Sequence, residues 1–375
     1  MNALDYHKKL AGKIEVVSRA TIDDAATLSL AYTPGVADPC TAIAQDVSKV
    51  YEYTRKSNMV AVVTDGSAVL GLGNIGPEAS LPVMEGKCAL FKRFAGVDAF
   101  PLALATQNPD EIIETVVRIA PMFGGINLED IAAPHCFTIL QELEKQLDIP
   151  VFHDDQDGTA MVVLAGLINA AKVVNTRLSD SRVVINGAGA AGIAIARLLK
   201  AFGVGEINML DSKGLIHTGR ADLHSAKKEY AVDLPEEKIH ATLGDVIVGA
   251  DVFIGVSRGG VLTQDMVQSM ASGSIVFAMA NPEPEILPEQ AKAAGAAVVA
   301  TGRSDFANQI NNVLVFPGFF RGLLDKRIVR ITQEMKLSAA QALADAVEQP
   351  NPKYIIPSPF EVGLSAKIAQ AISVE

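Results

Sequence analysis

Arg182-Val-Val-Ile-Asn186 runs straight into Gly187-Ala-Gly-Ala-Ala-Gly192, and Asp211 closes the next apolar stretch at 206–210. A β-branched run before the glycines and an aliphatic helical pattern over 193–202 after them supply the context that a bare glycine spacing lacks. In that setting Gly187 allows a tight turn, Gly189 lets the backbone approach a pyrophosphate, and Gly192 lets the helix pack close to the sheet. Ala190 and Ala191 open the helix, where free amides and the helix dipole favour negative charge. Asp211 stands about 20 residues beyond the glycines, the spacing of an acid that takes the hydroxyls of an adenosine ribose. The acid predicts NAD, and Lys213, two residues on, leaves NADP open. The alternative reading is a glycine turn that binds nothing, which the flanking strand, helix and acid make the lesser one.

The same alternation extends to both sides. Further strands are expected at 252–255, 274–279 and 297–300, which makes the second half a doubly wound parallel sheet. In the first half, residues 59–64 form a β-branched run that ends at Asp65-Gly66, and 71–76 is a glycine-rich loop. Helices are expected over 81–94 and 109–119, with a short strand at 98–102 between them. This pattern indicates α/β architecture throughout: an N-terminal α/β domain for substrate and metal, then a Rossmann-type dinucleotide domain. Residues 159–175 read as an apolar helix linking the two, residues near 1–30 as helical, and 338–347 and 359–372 as terminal helices. The expected boundaries are 1–157, 158–340 and 341–375, the last segment packing back on the first domain.

Bulk numbers narrow the function classes. A chain of 375 residues with 49% hydrophobic and 20% charged residues suits two globular domains. Its 32 basic against 43 acidic side chains, net −11, leave no basic stripe for a nucleic-acid partner. Cys40, Cys88 and Cys136 are odd in number and far apart, so neither a disulfide framework nor a zinc cluster is implied. No secretory signal pattern opens the sequence, and the longest apolar run is broken by Gly166 and Asn169. No membrane partner and a cytoplasmic location are expected.

Acids carry the next signal. Phe152-His-Asp-Asp-Gln-Asp-Gly158 places three carboxylates in four positions directly after an apolar run. Adjacent carboxylates repel unless a cation sits between them, and hard cations such as Mg²⁺ and Mn²⁺ take oxygen ligands. Glu129-Asp130 follows a second apolar segment in the same way. Glu129, Asp130 and Asp155 are the expected metal ligands. Each pair by itself could be a helix cap; together, beside a nucleotide fold, they point to metal-assisted redox chemistry on a small oxygen-rich acid. Lys87 lies on an apolar stretch, where burial can lower an ammonium's pKa enough to make a base. Asn281 and Asn312 stand where an amide can reach a substrate carboxylate or a nicotinamide. His135 and His153 lie near the acids as supporting or packing groups, and no partner pattern marks Cys88 as a nucleophile.

Ala31-Tyr-Thr-Pro-Gly-Val-Ala37, Val63-Thr-Asp-Gly66, Leu70-Gly-Leu-Gly-Asn-Ile-Gly76, Glu85-Gly-Lys87, Asn127-Leu-Glu-Asp130 and Phe152-His-Asp-Asp155 together resemble the malic enzymes, most closely their short bacterial form. Asp211-Ser-Lys-Gly214, Asn281-Pro282 and Asn311-Asn-Val-Leu-Val-Phe-Pro-Gly318 continue the match in order. The resemblance implies oxidative decarboxylation of L-malate to pyruvate and CO₂ with NAD or NADP and Mg²⁺ or Mn²⁺. It implies Tyr32 as general acid, Lys87 as general base and Asp154 as a carboxylate that tunes the lysine. It places Asn281 and Asn312 on the substrate and nicotinamide side, and suggests a homodimer or larger homo-oligomer. One position departs from the pattern. Larger members carry an arginine after Thr-Asp-Gly that grips the malate carboxylate; here Ser67-Ala68 stands there, leaving Ser67 or Asn281 for that contact. Three other readings stay open: a malolactic enzyme, a dehydrogenase that does not decarboxylate, and a non-catalytic nucleotide-binding regulator.

Overall fold

The structure, a computed structural model, describes residues 1–69, 71–233 and 240–373. Two parallel sheets organise it. The first contains β1 (Met59–Thr64), β2 (Asp98–Ala103), β3 (Gly125–Leu128) and β4 (Val151–His153) in the order β2-β1-β3-β4. The second contains β5 (Arg182–Asn186), β6 (Glu206–Asp211), β7 (Gly214–Leu215), β8 (Val252–Gly255), β9 (Ile275–Ala278) and β10 (Val298–Thr301) in the order β10-β9-β8-β5-β6-β7. Every pairing is parallel except that of β6 with the short β7. Parallel strands are covered on both faces, which is why β1 and β8 read as unbroken apolar runs rather than alternating ones.

The helix Thr159–Val174 is apolar all round because it is buried all round: its residues from Ala160 to Ala171 are enclosed. It packs on the helices Ala190–Phe202 and Gln333–Ala344. Among the described residues, the helical stretch Asp154–Val174 is long and apolar enough by composition to cross a membrane, and most of it lies inside the protein. Tertiary packing accounts for that character.

The terminal segments differ from expectation in detail. Residues 1–30 are not one helical region; short helices Ala3–Leu10 and Ala25–Ala31 flank a non-helical stretch. Asn2 caps the first, and Ala11, at φ +53°, ends it in a left-handed turn. Neither helix buries a single residue, so no core holds a longer one together. At the other end the helix Leu364–Ala371 lies on the helix Phe316–Asp325, where Gly318 and Gly322 leave room for its backbone.

Candidate active site

Parallel α/β sheets present their functional groups beyond the carboxyl ends of the strands. Glu129 and Asp130 follow β3, and Asp154 and Asp155 follow β4. Since β3 and β4 are adjacent and parallel, the two acidic pairs converge. Carboxylate oxygens of Glu129, Asp130 and Asp155 lie within 4.8 Å of one another. Asp130 adopts φ +55°, a left-handed conformation that aspartate tolerates better than most side chains. Its backbone N–H donates to Asp155 Oδ2 at 2.8 Å, tying one strand end to the other. Asn127 donates to Glu129 Oε2 at 2.9 Å and fixes that carboxylate.

Lys87 projects into this cluster from the helix Gly76–Ala95, 8% exposed. Its ammonium bonds Asp154 Oδ2 and sits 3.0 Å from Glu129 Oε1 and 4.0 Å from the centre of the Phe316 ring. The lowered lysine pKa expected from the apolar sequence is reversed here. Burial does disfavour the charged form, but Asp154 and Glu129 outweigh it and hold the ammonium above its usual range. The acids move upward too. Burial pushes Glu129 well above the ordinary carboxylate range, with Asp154, Asp155 and Asp130 adding to what Lys87 opposes. Burial likewise raises Asp155, against His153. One ammonium does not neutralise four clustered carboxyl groups. An all-oxygen donor set of this size fits a hard divalent cation, and the buried Asp154 Oδ1 has no hydrogen-bond partner among the described residues.

Asn312 is drawn in from far along the chain. Its Nδ2 donates to Asp154 Oδ2 at 2.9 Å, and its Oδ1 accepts from Thr159 Oγ1 at 3.2 Å. Ser67 Oγ donates to Asp65 Oδ1 at 2.6 Å and accepts from the Ala132 N–H at 2.8 Å. Its hydroxyl is therefore committed to the loop that carries Asp130. Asn281 donates to the Met279 carbonyl, and its own carbonyl lies over Gly71, so it joins the glycine-rich loop to the end of β9. Tyr32 is not among the side chains that touch Lys87; it is 68% exposed, and its hydroxyl has no partner among the described residues. Cys88 and Cys136 are buried, and burial pushes both thiols up to about 12, far from a reactive thiolate.

The glycine turn lies in the second sheet. Gly187 has φ +124°, and a Cβ there would come within 2.5 Å of the Val256 carbonyl. A Cβ on Gly192 would come within 1.8 Å of the Gly187 carbonyl, so neither position admits a side chain. Gly189 instead faces open space at the start of the helix Ala190–Phe202. Gly187, Gly189, Asp211 and Ser257 line a cavity of about 810 Å³. Asp211 closes β6, but its carboxylate is not bare. Arg220 grips both oxygens at 2.8 and 2.9 Å and Lys227 donates to Oδ2 at 2.6 Å, so that despite burial the carboxyl is held down at about 2. Sequence spacing finds Asp211 but not Arg220, on a loop, or Lys227, in the short helix Ser225–Lys228; neither position carries a periodic signal. Phe316 and Asn127 escape as well: nothing local marks which ring will lie on the Lys87 ammonium or which asparagine will hold Glu129.

Two sheets, an acidic cluster holding a lysine and a glycine turn at the start of a helix are the frame against which known proteins compare. The family model "Malic enzyme, N-terminal domain" matches residues 11–144, and "Malic enzyme, NAD binding domain" matches 156–374. The chain belongs to the malic enzyme family. It is 58% identical to the bifunctional malic/malolactic enzyme of Bacillus subtilis over 374 residues, covering 99% of this chain and 91% of that one. It is 55% identical to the NAD-dependent malic enzyme of Geobacillus stearothermophilus over 365 residues, covering 97% of this chain and 76% of the relative. The crystal structure of the NAD-dependent malic enzyme of Thermotoga maritima superposes with a TM-score of 0.95 at 48% identity, covering 99% and 98% of the two chains. Malic enzymes decarboxylate malate oxidatively with NAD or NADP, and that reaction is this chain's.

Proposed function

We propose that the cluster after β3 and β4 is the catalytic centre, with Lys87 as general base, Glu129, Asp130 and Asp155 as ligands of Mg²⁺ or Mn²⁺, and Tyr32 as general acid. The observation that carries this reading is the buried Lys87 ammonium set between Asp154 and Glu129, the latter an edge of the three-carboxylate cluster. When bound, the cation would polarise the 2-hydroxyl and keto oxygens of the substrate, and NAD(P)⁺ would take the hydride. Lys87 takes the 2-hydroxyl proton, and Asp154, in contact with the same Nζ, receives the proton that the lysine must first give up. Asn312 holds Asp154 in place for that exchange. Tyr32 Oη gives a proton to C3 after CO₂ leaves. Asn281 and Asn312 serve as substrate and nicotinamide-side amides, and Ser67 positions the loop along which the malate carboxylate lies.

Gly187, Gly189, Ala190, Ala191 and Gly192 receive the pyrophosphate, Asp211 the adenosine ribose, and NAD is the preferred coenzyme. Residues 1–157 act as the catalytic domain, 158–340 as the dinucleotide domain, and 341–375 as a terminal segment. The protein works in the cytoplasm as a homodimer or larger homo-oligomer. Leu4, Val16, Val17, Leu30 and Tyr32 are 67–85% exposed. So much apolar surface on one segment is the mark of a protein contact. Tyr32 then reaches a neighbour's Lys87. Mixing a Tyr32→Phe variant with a Lys87→Ala variant is expected to recover activity, since a mixed dimer keeps one intact pair; no recovery would place both residues in one chain's site.

The reaction itself is tested by absorbance at 340 nm with L-malate, Mn²⁺ and either coenzyme, followed by a pyruvate assay. Reduced coenzyme and pyruvate in equal amounts, only with metal and more strongly with NAD⁺, are expected. A second reading has one specific support, the malic/malolactic activity in the name of the Bacillus subtilis relative. Lactate without net reduced coenzyme would establish it.

A further inference from the structure

Glu285 is fully enclosed, and it is not one of the carboxylates that gather after β3 and β4. It ends the stretch Asn281-Pro-Glu-Pro-Glu285, just beyond β9. A buried carboxylate costs free energy unless donors surround it. Among the described residues no lysine, arginine or histidine pairs with it; the donors are the ends of two adjacent strands. The Ser257 N–H, beyond β8, donates to Oε1 at 3.0 Å, and the Ala280 N–H, beyond β9, donates to Oε2 at 3.0 Å. The Ser257 hydroxyl adds a longer bond to Oε1 at 3.4 Å. Burial raises the carboxyl above its ordinary range, and these donors oppose it. β8 ends in a residue that admits the group: a Cβ on Gly255 would come within 2.3 Å of Glu285 Cδ.

Both donors lead to the dinucleotide side of the molecule. Ser257, Arg258 and Val261 line the same cavity as Gly187 and Gly189. Ser257 Oγ accepts from Asn186 Nδ2 at 2.9 Å, and Asn186 is the residue before the glycine turn. The main chain around Glu285 supports that loop as well. The Gly260 N–H donates to the Pro284 carbonyl at 3.1 Å, and the Leu262 N–H donates to the Glu285 carbonyl at 3.0 Å. On the other oxygen, Ala280 leads directly into Asn281. One carboxylate thus joins the loop that walls the cavity to the strand end that carries Asn281. Glutamine could not do the same: both carboxylate oxygens accept here, whereas an amide would turn its NH₂ toward one of the two backbone donors.

We propose that Glu285 is a positioning residue for the coenzyme, whose two oxygens hold the loop 257–262 and the end of β9 in the arrangement that accepts NAD(P)⁺. It acts through Ser257 and Ala280 and touches neither the reacting atoms nor the metal ligands. The proposal rests on the reading that the cavity beside Gly187 and Gly189 takes the coenzyme, and it is independent of the roles given to Lys87, Tyr32 and the acidic cluster.

The test is NADH affinity by fluorescence titration on the full chain, with circular dichroism and Mn²⁺ affinity read on the same samples. Glu285→Gln is expected to weaken NADH about tenfold, the scale of one lost hydrogen bond to a charged group, while Mn²⁺ affinity stays within twofold. The KM for NAD⁺ is expected to rise with it. Asn169→Ala is the control for lost stability alone. Asn169 is buried and its Nδ2 holds the Ala344 and Ile355 carbonyls at 2.8 and 3.0 Å, so its loss is expected to lower the melting temperature and leave NADH affinity within twofold. Equal losses of NADH affinity in the two variants, or a matching loss of Mn²⁺ affinity in Glu285→Gln, would assign Glu285 to stability and overturn the proposal. If Glu285→Gln does not fold, Glu285→Asp decides, since it keeps the charge but is one methylene too short to reach both N–H groups. NADH binding about fivefold weaker in that variant supports the proposal; binding within twofold of the parent, or failure of both variants to fold, would overturn it. Gly189→Trp separates the underlying reading, because Gly189 faces open space beside the turn. Unchanged NADH affinity there would overturn the coenzyme cavity and the proposal with it. Lost affinity there beside parent-like binding in Glu285→Gln would overturn the proposal alone.

Discussion

Lys87→Ala is expected to lower kcat by about 10²–10⁴, the range for losing one positioned acid–base group, with the malate KM nearly unchanged. In barrier terms that is about 2.7–5.4 kcal/mol. The lysine is 8% exposed, and its Nζ touches Asp154 and Glu129 directly. Alanine removes the proposed proton carrier and leaves the carboxylates proposed to hold the metal. Removing one partner of a buried ion pair also costs stability, about 3–5 kcal/mol, because the remaining charges lose their compensation. Circular dichroism and NADH binding therefore accompany the rate measurement. A folded variant that binds NADH and turns over slowly supports the assignment, and partial rescue by added ethylamine sharpens it, since a small amine can occupy the vacated space. Turnover within threefold of the parent would remove Lys87 from the role of base.

Much of the fold was legible because parallel α/β sequence is redundant. β5, the glycine turn and Asp211 each predict one another, and the strand at 59–64 and the helix at 109–119 begin and end in the structure where turn residues and Pro109 place them. The N-terminal stretch was less legible: its mixture of aliphatic and charged residues reads as helix, yet neither of its two short helices has a residue buried by the described residues. Within the site, the carboxylates announced themselves by crowding. Their environment did not. An apolar sequence around Lys87 suggested a depressed pKa, whereas the partners that raise it come from positions 129 and 154, brought close only by the pairing of β3 with β4. Asp211 is a similar case. Its position follows from spacing, but Arg220 and Lys227, which occupy both of its oxygens, come from a loop and from the four-residue helix Ser225–Lys228, set by tertiary geometry that no local pattern encodes.

Asp155→Ala is expected to abolish metal-dependent turnover at any practical Mn²⁺ concentration. Its carboxylate is one of three whose oxygens lie within 4.8 Å of one another, and its Oδ2 also holds the Asp130 N–H at 2.8 Å. One substitution thus deletes a proposed ligand and frees the left-handed turn that aims a second proposed one. Losing a residue that only supports a metal ligand typically costs 10–100-fold in affinity or activity, so a direct ligand should cost more. Mn²⁺ binding followed by electron paramagnetic resonance reads this without relying on turnover. Asp157, two residues on in the same acidic run, supplies the control. It pairs with Lys336 at 2.7 Å, outside the cluster, so Asp157→Asn is expected to keep its Mn²⁺ affinity within a few fold. Equal losses in the two variants would mean that general negative charge, rather than a defined ligand set, attracts the metal. An unchanged Mn²⁺ requirement in Asp155→Ala would take Asp155 out of the set altogether and leave Glu129, Asp130 and Asp154 as the carboxylates able to hold the ion.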